Sequence, residues 1–455
     1  MSSLTGERIG VLGLARSGLA AARLALARGA EVYASDFCDI AATRAAAEEI
    51  RRAGGEADTG RHDVEKLARC SRIVLSPGIP PDAAVLRQAA LAGIPVVPEI
   101  DLAFGELSAP VIGVTGTNGK TTVTALLSHF LQAAGQDAPS GGNIGTALSE
   151  LALRDPPPDI AVVEVSSFQL GLAEEFAPAI GVLTNLAPDH LDRYPDVEAY
   201  YADKARLFQK ATDRSQWVLN AEDARARELP GAAPGARFLF RVASQPEPGE
   251  RGGFLAPDGR LTLRLDGERD EPLLHASELR ILGAHNVANA LAAAIAARLA
   301  GAAAGTITEG LRSFRAPPHR LEPVAERGGV LWINDSKATN LASTEVALRG
   351  MDRPTVLLLG GRHKGEPYTG LLPSIRERVR CVVAFGEAGD LVRAELREHV
   401  AVEHVPGSFE DVVRRAAMLA RPGDAVLLSP ACSSYDMFPN YEERGRRFAE
   451  LAAQV

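Results

Sequence analysis

Short apolar runs alternate with helical patterns over the whole chain. The runs are RIGVLGL, AEVYASD, RIVLSP, PVIGVTG, IAVVEVS, IGVLTN, VLWIND, TVLLLGG, CVVAFG and AVLLSP. Apolar runs of this length, separated by amphipathic segments, are typical of parallel strands whose sheet is covered by helices. The sequence therefore predicts an α/β protein throughout.

The length of the chain indicates more than one domain. At about 150 residues per domain, 455 residues correspond to roughly three. We expect a Rossmann-like unit over residues 1–99, a central unit with a parallel sheet over 100–316, and a second Rossmann-like unit over 317–455, after a linker marked by Pro317 and Pro318. The stretch 231–275 contains alternating pieces such as RLTLRLDG and predicts a small β insertion late in the central unit.

Charge and cysteine content exclude several classes of function. The net charge of -9, without a block of Lys or Arg, argues against a nucleic-acid or anionic-membrane partner. Arginines interrupt the N-terminal apolar segment, so we expect no signal peptide there, and we expect no membrane insertion because no run is long and apolar enough. The four cysteines show no C-x-x-C spacing, so we expect a reducing, cytoplasmic location: Cys38, Cys70, Cys381 and Cys432.

The stretch VTGTNGKTT, residues 114–122, predicts a phosphate-binding loop. It lies between a predicted strand and a predicted helix over 122–134, although Val114 stands where the usual loop has its first glycine. Gly116 and Gly119 would let the backbone approach phosphate oxygens, Lys120 would supply a charge, and Thr121 a hydroxyl for Mg²⁺. The alternative is a tight glycine turn with a solvated lysine.

A carboxylate stands in the next predicted strand, IAVVEVSSFQL. Glu164 is surrounded there by apolar residues, and a buried carboxylate is costly unless it is paired or bound to metal. Mg²⁺ is one partner, with Ser166 expected on the same side of the strand. A buried salt bridge is the alternative.

Seven motifs give the chain a resemblance to the Mur ligases of peptidoglycan synthesis. In order they are VTGTNGKTT, GGNIG, VVEVSSFQL, TNLAPDHLDRY with EAYYADKARLF, GAHNVANALAA, PPHRLE and NDSKATN. The shortened glycine loop is the version found in that family. NDSKATN, LLLGGRHKG and SPACSSYDMF are similar to the branch that joins D-glutamate to UDP-N-acetylmuramoyl-L-alanine. The resemblance implies that ATP activates a carboxylate as an acyl phosphate, which the amine of the amino acid then attacks, releasing phosphate.

The resemblance implies a nucleotide site, two Mg²⁺ ions and a modified lysine. Lys204 would be carbamylated, which requires a neutral amine of the kind that burial favours. Taken alone, Lys204 is a solvated helix residue, His190 a core histidine and Asn286 a helix N-cap. The expected catalytic residues are Lys120, Glu164, His190 and Lys204; the ATP contacts are Gly116, Thr117, Asn118, Gly119, Lys120, Thr121, Thr122, Asn286, Arg320 and Asp335; the metal ligands are Thr121, Glu164, His190 and the Lys204 carbamate.

The first unit would hold the uridine diphosphate part of the substrate. The turn from Gly13 to Gly18 followed by Asp36 hints at a dinucleotide site, but GLARSG departs from G-x-G-x-x-G and the signal is weak. Phe37 and Cys38 stand where the resemblance predicts hydrogen-bonding side chains. The implied contacts to the UDP-muramoyl substrate are Arg16, Ser17, Asp36, Ser76, Asn143, Ser166 and His190.

The third unit would bind glutamate. NDSKATN, GGRHKG and SPACSSY each follow a predicted strand, so their loops should meet at the carboxyl edge of one parallel sheet. Two lysines could meet the two carboxylates of glutamate, and hydroxyls could orient it. The expected residues are Lys337, Thr339, Lys364, Ser434 and Tyr441. We also expect a monomer whose third unit closes over ATP.

Three other functions stay open on the sequence. A folylpolyglutamate synthase shares the glycine loop and adds glutamate, but it resembles neither the first unit nor NDSKATN. A regulatory ATPase would use the loop as a switch and hydrolyse ATP without glutamate. An NAD-dependent oxidoreductase would use residues 8–36, yet no catalytic residues for it are evident.

Overall fold

The computed structural model describes residues 4–77, 79, 83–191, 193–281, 283–315 and 318–455. Its strands form three sheets, of five, nine and six strands. The boundary predicted between residues 316 and 317 lies outside the described residues.

The first sheet is parallel, with the strand order β3-β2-β1-β4-β5. Because β1 is central, the turn that follows it opens at the middle of the carboxyl edge, where α/β folds bind ligands. The strands are β1 (Arg8–Leu12), β2 (Glu31–Asp36), β3 (Glu56–Thr59), β4 (Arg72–Leu75) and β5 (Val96–Pro98), and the helices α1 (Arg16–Ala27), α2 (Ala41–Arg52), α3 (Val64–Leu67), α4 (Ala84–Leu91) and α5 (Glu99–Glu106).

The second sheet has the order β14-β13-β12-β11-β10-β9-β6-β8-β7. The seven strands from β6 to β12 pair in parallel, and β13 and β14 add an antiparallel hairpin. The predicted β insertion is therefore confirmed as strand structure, and it continues the main sheet. The strands are β6 (Val111–Thr115), β7 (Ser140–Gly142), β8 (Ala161–Glu164), β9 (Ile180–Leu183), β10 (Gln216–Asn220), β11 (Ala236–Arg241), β12 (Gly252–Leu255), β13 (Arg260–Arg264) and β14 (Glu271–His275).

Helices cover both faces of this sheet. Residues 289–297 of the alanine-rich α11 are all buried, as expected for small side chains that allow a helix to lie close to its neighbours. The helices are α6 (Lys120–Ala133), α7 (Leu148–Ala152), α8 (Ser167–Leu172), α9 (Val197–Ala205), α10 (Ala224–Glu228), α11 (Ala284–Leu299) and α12 (Ala304–Ser313).

The third sheet has the order β15-β16-β20-β17-β18-β19, in which only β15 is antiparallel. Apolar clusters lie on both of its faces, which explains why its central strands are continuous apolar runs. The strands are β15 (Glu322–Arg327), β16 (Val330–Asn334), β17 (Thr355–Gly360), β18 (Val379–Phe385), β19 (Ala401–Val405) and β20 (Ala425–Leu428), and the helices α13 (Leu341–Arg349), α14 (Leu372–Arg378), α15 (Gly389–Leu396), α16 (Phe409–Leu419) and α17 (Tyr441–Ala452).

The first two domains are joined by a polar and apolar interface. Helices α1 and α5 pack against α7 of the central domain. Arg28 Nη2 donates to the carbonyl oxygen of Ala152 over 2.8 Å, and Arg28 Nε lies 3.0 Å from Glu106 Oε2. These contacts place the first sheet beside the second.

All ten apolar runs that the sequence marks as strands form strands: β1, β2, β4, β6, β8, β9, β16, β17, β18 and β20. The α/β prediction is therefore confirmed. In the part of the chain that the structure describes, no helix combines the length and hydrophobicity that a bilayer crossing requires.

Candidate active site

The glycine loop joins the central strand β6 to α6. The helix begins at Lys120, two residues before the predicted start, so Lys120 and Thr121 belong to its first turn. Gly116 and Gly119 have φ values of 139° and 84°, which favour glycine. A β-carbon at Gly119 would collide with the side chain of Asn289. The loop thus brings backbone N–H groups to a helix N-terminus, the arrangement that binds phosphate.

Polar groups outside the predicted set hold the loop in place. Asn185 Oδ1 accepts from the backbone N–H of Asn118 over 2.9 Å, and Thr184 Oγ1 donates to the Asn118 carbonyl oxygen over 2.5 Å. Lys120 Nζ donates to the carbonyl oxygens of Gly116 and Thr117, over 2.9 and 2.7 Å. Burial lowers the pKa of Lys120, against the opposing effect of Glu164.

Glu164 ends β8 beside the loop, because the sheet register pairs it with Val114 of β6. It is 1% exposed, and Asn143 Nδ2 donates to its Oε1 over 2.8 Å. Its Oε2 is buried and has no hydrogen-bond partner among the described residues. Burial by itself would raise the pKa of Glu164, but Lys337 and Lys120 outweigh that effect and lower it. An ionised carboxylate with one unpaired oxygen fits the requirements of a cation ligand.

The prediction that Ser166 lies on the same strand face as Glu164 is wrong. The strand ends at Glu164, and Ser166 is the N-cap of α8, where its hydroxyl accepts from the N–H of Gln169. A serine before a helix gains more from capping orphan N–H groups than from continuing a strand.

Lys204 lies beneath the loop and is not a solvated helix residue. It is 1% exposed, its Nζ donates to the carbonyl oxygen of Gly116 over 2.9 Å, and the same Nζ is 4.5 Å from the centre of the Tyr200 ring. Burial holds the pKa of Lys204 well below its ordinary value, and the neighbouring Lys120 lowers it further. The local chemistry therefore favours a neutral amine.

His190 lies near the same Tyr200 ring. Its imidazole centre is 6.0 Å from that of Tyr200 and 4.9 Å from that of Phe168. The residue has a φ of 57°, uncommon for a non-glycine residue and indicative of local backbone strain. Over the described ranges, no group of three or more His, Cys, Asp or Glu side chains has the geometry of a metal site. A metal at Glu164 would therefore need other ligands, such as a hydroxyl, phosphate oxygens or a modified lysine.

The third domain contacts the loop directly. Arg320 Nη2 and Lys337 Nζ both donate to Thr121 Oγ1, over 2.9 and 3.0 Å. Ser343 Oγ donates to Asn118 Oδ1 over 2.6 Å. Burial lowers the pKa of Lys337 to about 7. Two basic side chains of the third domain thus meet at the first turn of α6.

A cavity beside the loop collects most of the predicted ATP contacts. Asn286 is the third residue of α11 and not its N-cap, which is Gly283; its Oδ1 accepts from Asn289 Nδ2 over 3.0 Å. Burial raises the pKa of Asp335 to about 7, although Ser429 donates to its carboxylate. The predicted residues that line this cavity are Asn118, Gly119, Thr122, Asn286, Arg320 and Asp335.

A second cavity, of about 400 Å³, lies where the three domains meet. The first domain contributes Arg16, the central domain Thr121 and Asn143, and the third domain Lys337 and Tyr441. Arg16 Nη2 donates to the carbonyl oxygen of Asn143 over 3.4 Å. A molecule bound there would contact all three domains at once.

A third cavity, of about 770 Å³, opens at the carboxyl edge of the first sheet. Ser17, Asp36 and Ser76, three of the residues predicted to contact the UDP-muramoyl substrate, line it together with Phe37 and Cys38. The Asp36 carboxylate accepts from the backbone N–H groups of Leu14 and Cys38, over 2.7 and 2.8 Å, and so fixes the turn. Phe37 is 74% exposed at the mouth of the cavity.

The residues predicted for glutamate fall into two groups. The loops after β16, β17 and β20 meet at one edge, since these strands are neighbours in the third sheet. Lys364 Nζ is 3.5 Å from Thr339 Oγ1, whereas Lys337 Nζ contacts Thr121 and is 5.0 Å from the centre of the Tyr441 ring. Ser434 is buried in the loop after β20.

Asp189 is a buried residue that the sequence reasoning missed. It is 5% exposed, its Oδ1 is 3.7 Å from Lys364 Nζ, and its Oδ2 accepts from Asn340 Nδ2 over 2.6 Å. The sequence offers one sign that Asp189 could be functional: it is a charged residue that follows a predicted strand and stands directly before His190. Asp189 links the central domain to the loop of the third domain that carries Thr339.

Comparisons with known proteins agree with this arrangement. The Mur ligase MurD-like N-terminal domain matches residues 7–98, the Mur ligase middle domain residues 114–297, and the Mur ligase glutamate ligase domain residues 319–432. The UDP-N-acetylmuramoylalanine–D-glutamate ligase of Salinibacter ruber is 43% identical over 98% of this chain and 97% of that protein. That of Anaeromyxobacter dehalogenans is 42% identical over 99% and 98%.

Solved structures share the fold at lower identity. A pseudomurein peptide ligase type C from Methanothermus fervidus has a TM-score of 0.62 at 20% identity, over 98% of this chain and 99% of that one. The UDP-N-acetylmuramate–alanine ligase MurC from Thermotoga maritima has a TM-score of 0.63 at 18% identity, over 98% and 99%.

Three α/β domains around a short phosphate-binding loop, each matched by a Mur ligase domain model, place the chain in a class of ATP-dependent ligases. The chain belongs to the Mur ligase family, in the branch of the UDP-N-acetylmuramoylalanine–D-glutamate ligases.

Proposed function

We propose that this protein joins D-glutamate to UDP-N-acetylmuramoyl-L-alanine in an ATP-dependent reaction of cytoplasmic peptidoglycan precursor synthesis. The acceptor carboxylate becomes an acyl phosphate, the amine of D-glutamate attacks its carbonyl carbon, and phosphate leaves. The observation that carries the proposal is the meeting of three domains at Thr121: the phosphate loop, two cations of the third domain, and a cavity that reaches Arg16 of the first.

The nucleotide would lie between the central and third domains. Its phosphates would be held by the residues from Gly116 to Thr122, and its remaining part by Asn286, Arg320 and Asp335, which line the adjoining cavity. Mur ligases depend on ATP and Mg²⁺. Thr121 and the unpaired oxygen of Glu164 fit a first Mg²⁺, which when bound would offset the negative charge of the phosphates.

A second Mg²⁺ would be held by His190 and by Lys204 in carbamylated form. Lys204 suits this modification because its amine is buried and its pKa is lowered, which favours the nucleophilic neutral form relative to a solvated lysine. The modification converts the amine into a carboxylate, a hard oxygen ligand of the kind that Mg²⁺ prefers. Lys120 would then neutralise the transferring phosphoryl group.

The uridine diphosphate end of the acceptor would occupy the cavity of the first domain. Ser17, Asp36 and Ser76 line that cavity, and Arg16 and Asn143 continue the path toward Thr121. The Ser166 hydroxyl caps α8, so Ser166 would contact the muramoyl part only through polar groups that this cap does not use. A path that runs from the first sheet to the phosphate loop suits a substrate with a nucleotide at one end and a carboxylate at the other.

Glutamate would enter from the third domain. Lys364 and Thr339 would bind one of its carboxylates, with Asp189 holding Lys364 in position. Ser434, Tyr441 and Lys337 would complete the site. That the chain acts as a monomer stays a prediction.

The experiment is a product assay with each enantiomer of glutamate. Purified protein is incubated with ATP, Mg²⁺, UDP-N-acetylmuramoyl-L-alanine and either D- or L-glutamate, and the products are weighed by mass spectrometry. We expect the mass of the amide, with ADP and phosphate in equal amounts, and only with D-glutamate. ATP hydrolysis that is independent of both acceptor and glutamate, without an amide product, would refute the proposal and favour a regulatory ATPase.

A further inference from the structure

Arg444, near the start of α17, is a buried arginine that belongs to none of the predicted sites. It is 1% exposed, although arginine is rarely buried without an anionic partner. Within the described residues it forms no salt bridge, and its Nη1 is buried and has no hydrogen-bond partner. Burial lowers the pKa of Arg444 to about 10, against the opposing effect of Cys432 and Asp436. The guanidinium is therefore still charged at neutral pH.

The guanidinium of Arg444 lies beside three loops of the third domain. Its Nε donates to Ser336 Oγ over 3.0 Å, and its Nη2 donates to the carbonyl oxygens of Ser336 and Cys432, over 2.8 and 3.1 Å. Its Nη1 is next to Gly361, where an added β-carbon would lie 3.2 Å from it. Ser336 Oγ in turn donates to the carbonyl oxygen of Tyr441 over 2.8 Å. One side chain is thus close to the loops that follow β16, β17 and β20.

The same three loops carry residues predicted to bind glutamate. These are Lys337, Lys364 and Ser434, and each stands one to three residues along the chain from a neighbour of Arg444. Glutamate has two carboxylates and one ammonium group at neutral pH, so its net charge is negative. A positive charge that no protein carboxylate offsets attracts such an anion, most strongly where water is excluded. Without an anion nearby, a buried and unpaired charge is costly.

We propose that Arg444 is a positioning residue of the amino-acid site, and that its buried, unpaired charge attracts the anionic amino acid from behind the three loops. This inference rests on the proposed function. Arg444 acts through its charge and does not touch glutamate, whose carboxylate would be met by Lys364. The effect of Arg444 therefore falls on the binding of the amino acid and not on the transfer of phosphate to the acceptor.

The test compares the KM for D-glutamate with the rate of the step before glutamate reacts. Protein, ATP, Mg²⁺ and UDP-N-acetylmuramoyl-L-alanine are mixed without glutamate, and the acyl phosphate is trapped with hydroxylamine as a hydroxamate. We expect Arg444→Gln to form hydroxamate at nearly the wild-type rate. Its KM for D-glutamate should rise on the order of tenfold, the effect of removing one nearby unit charge at an effective dielectric constant of about 20.

Two further variants separate the charge of Arg444 from its hydrogen bonds. Arg444→Lys keeps the charge but loses the planar fork that reaches Ser336 and Cys432, so its KM for D-glutamate should stay within about threefold of the wild-type value. Arg447 lies in the same helix and is paired with Glu410 and Glu450. Arg447→Gln should therefore leave both the KM and the hydroxamate rate unchanged.

Equal increases of the KM in Arg444→Gln and Arg444→Lys would overturn the inference, because the hydrogen bonds and not the charge would then matter. An unchanged KM in Arg444→Gln, or a hydroxamate rate that falls as much as the KM rises, would overturn it too. Should Arg444→Gln lower the Tm, Arg444→Met decides by the same two measurements, since an apolar chain of similar size often replaces a buried charge without loss of stability. A wild-type protein that yields neither hydroxamate nor amide would instead refute the proposed function, so the two failures are distinguishable.

Discussion

Asp335 should make the stability of the third domain depend on pH. It lies at the end of β16, with its Oδ2 accepting from Ser429 Oγ over 2.9 Å and its Oδ1 from the N–H of Leu321 over 3.2 Å. Burial raises its pKa from 3.8 to about 7. The folded state therefore binds a proton that the unfolded chain has already released, and stability is lost as the pH rises between these two values.

The size of the effect follows from the two pKa values. From pH 5 the carboxyl group is ionised in the unfolded chain but protonated in the folded one, until the folded form is itself half ionised at about pH 7. Each pH unit then changes the free energy of unfolding by about 1.36 kcal/mol, which gives about 3 kcal/mol over this range. Asp335→Asn is uncharged in both states and keeps the size of the side chain, so it lacks this dependence.

Tryptophan fluorescence can report the third domain alone. The protein has two tryptophans, Trp217 in β10 and Trp332 in β16, and Trp332 is 2% exposed in the same strand region as Asp335. In a Trp217→Phe background, urea unfolding is followed at pH 5 and pH 8 with and without Asp335→Asn. The stability advantage of the asparagine variant should grow by about 3 kcal/mol from pH 5 to pH 8. A difference that is the same at both pH values would refute the reasoning.

Three further predictions concern the site itself. Lys204→Ala should be nearly inactive and partly restored by added short carboxylic acids, because a free carboxylate can replace the lost metal ligand; full activity in this variant would exclude Lys204 from the mechanism. Gly119 and Gly135 both have a φ of 84°. Replacing either one with alanine therefore introduces a backbone strain of roughly 1–2 kcal/mol. Only the first collides with Asn289, so calorimetry should show loss of ATP binding in Gly119→Ala alone; equal ATP affinities would contradict this. Phe37→Ala should raise the KM for the uridine substrate about tenfold, the value of one aromatic stacking contact, at unchanged kcat and Tm, since Phe37 is 74% exposed; an unchanged KM would show that the base does not stack on this ring.

The sequence by itself determined the fold class and the place of the phosphate loop. Short continuous apolar runs such as those of β6, β8 and β17 are typical of strands in a sheet covered on both faces, and their length and flanking glycine or proline residues favour a strand over a buried helix. The glycines of the loop could also be recognised in the sequence, and the structure explains them, because Gly116 and Gly119 have positive φ values that favour glycine.

Only the tertiary structure decided which side chains face one another. Lys204 has the sequence surroundings of a solvated helix residue, and it is buried because α9 packs beneath the carbonyl oxygen of Gly116, 88 residues away. Asp189, Lys364 and Asn340 come together across two domains, and Lys337 meets Thr121 across 216 residues of chain. Such contacts depend on how whole domains pack, a property of many distant apolar contacts that no local pattern contains.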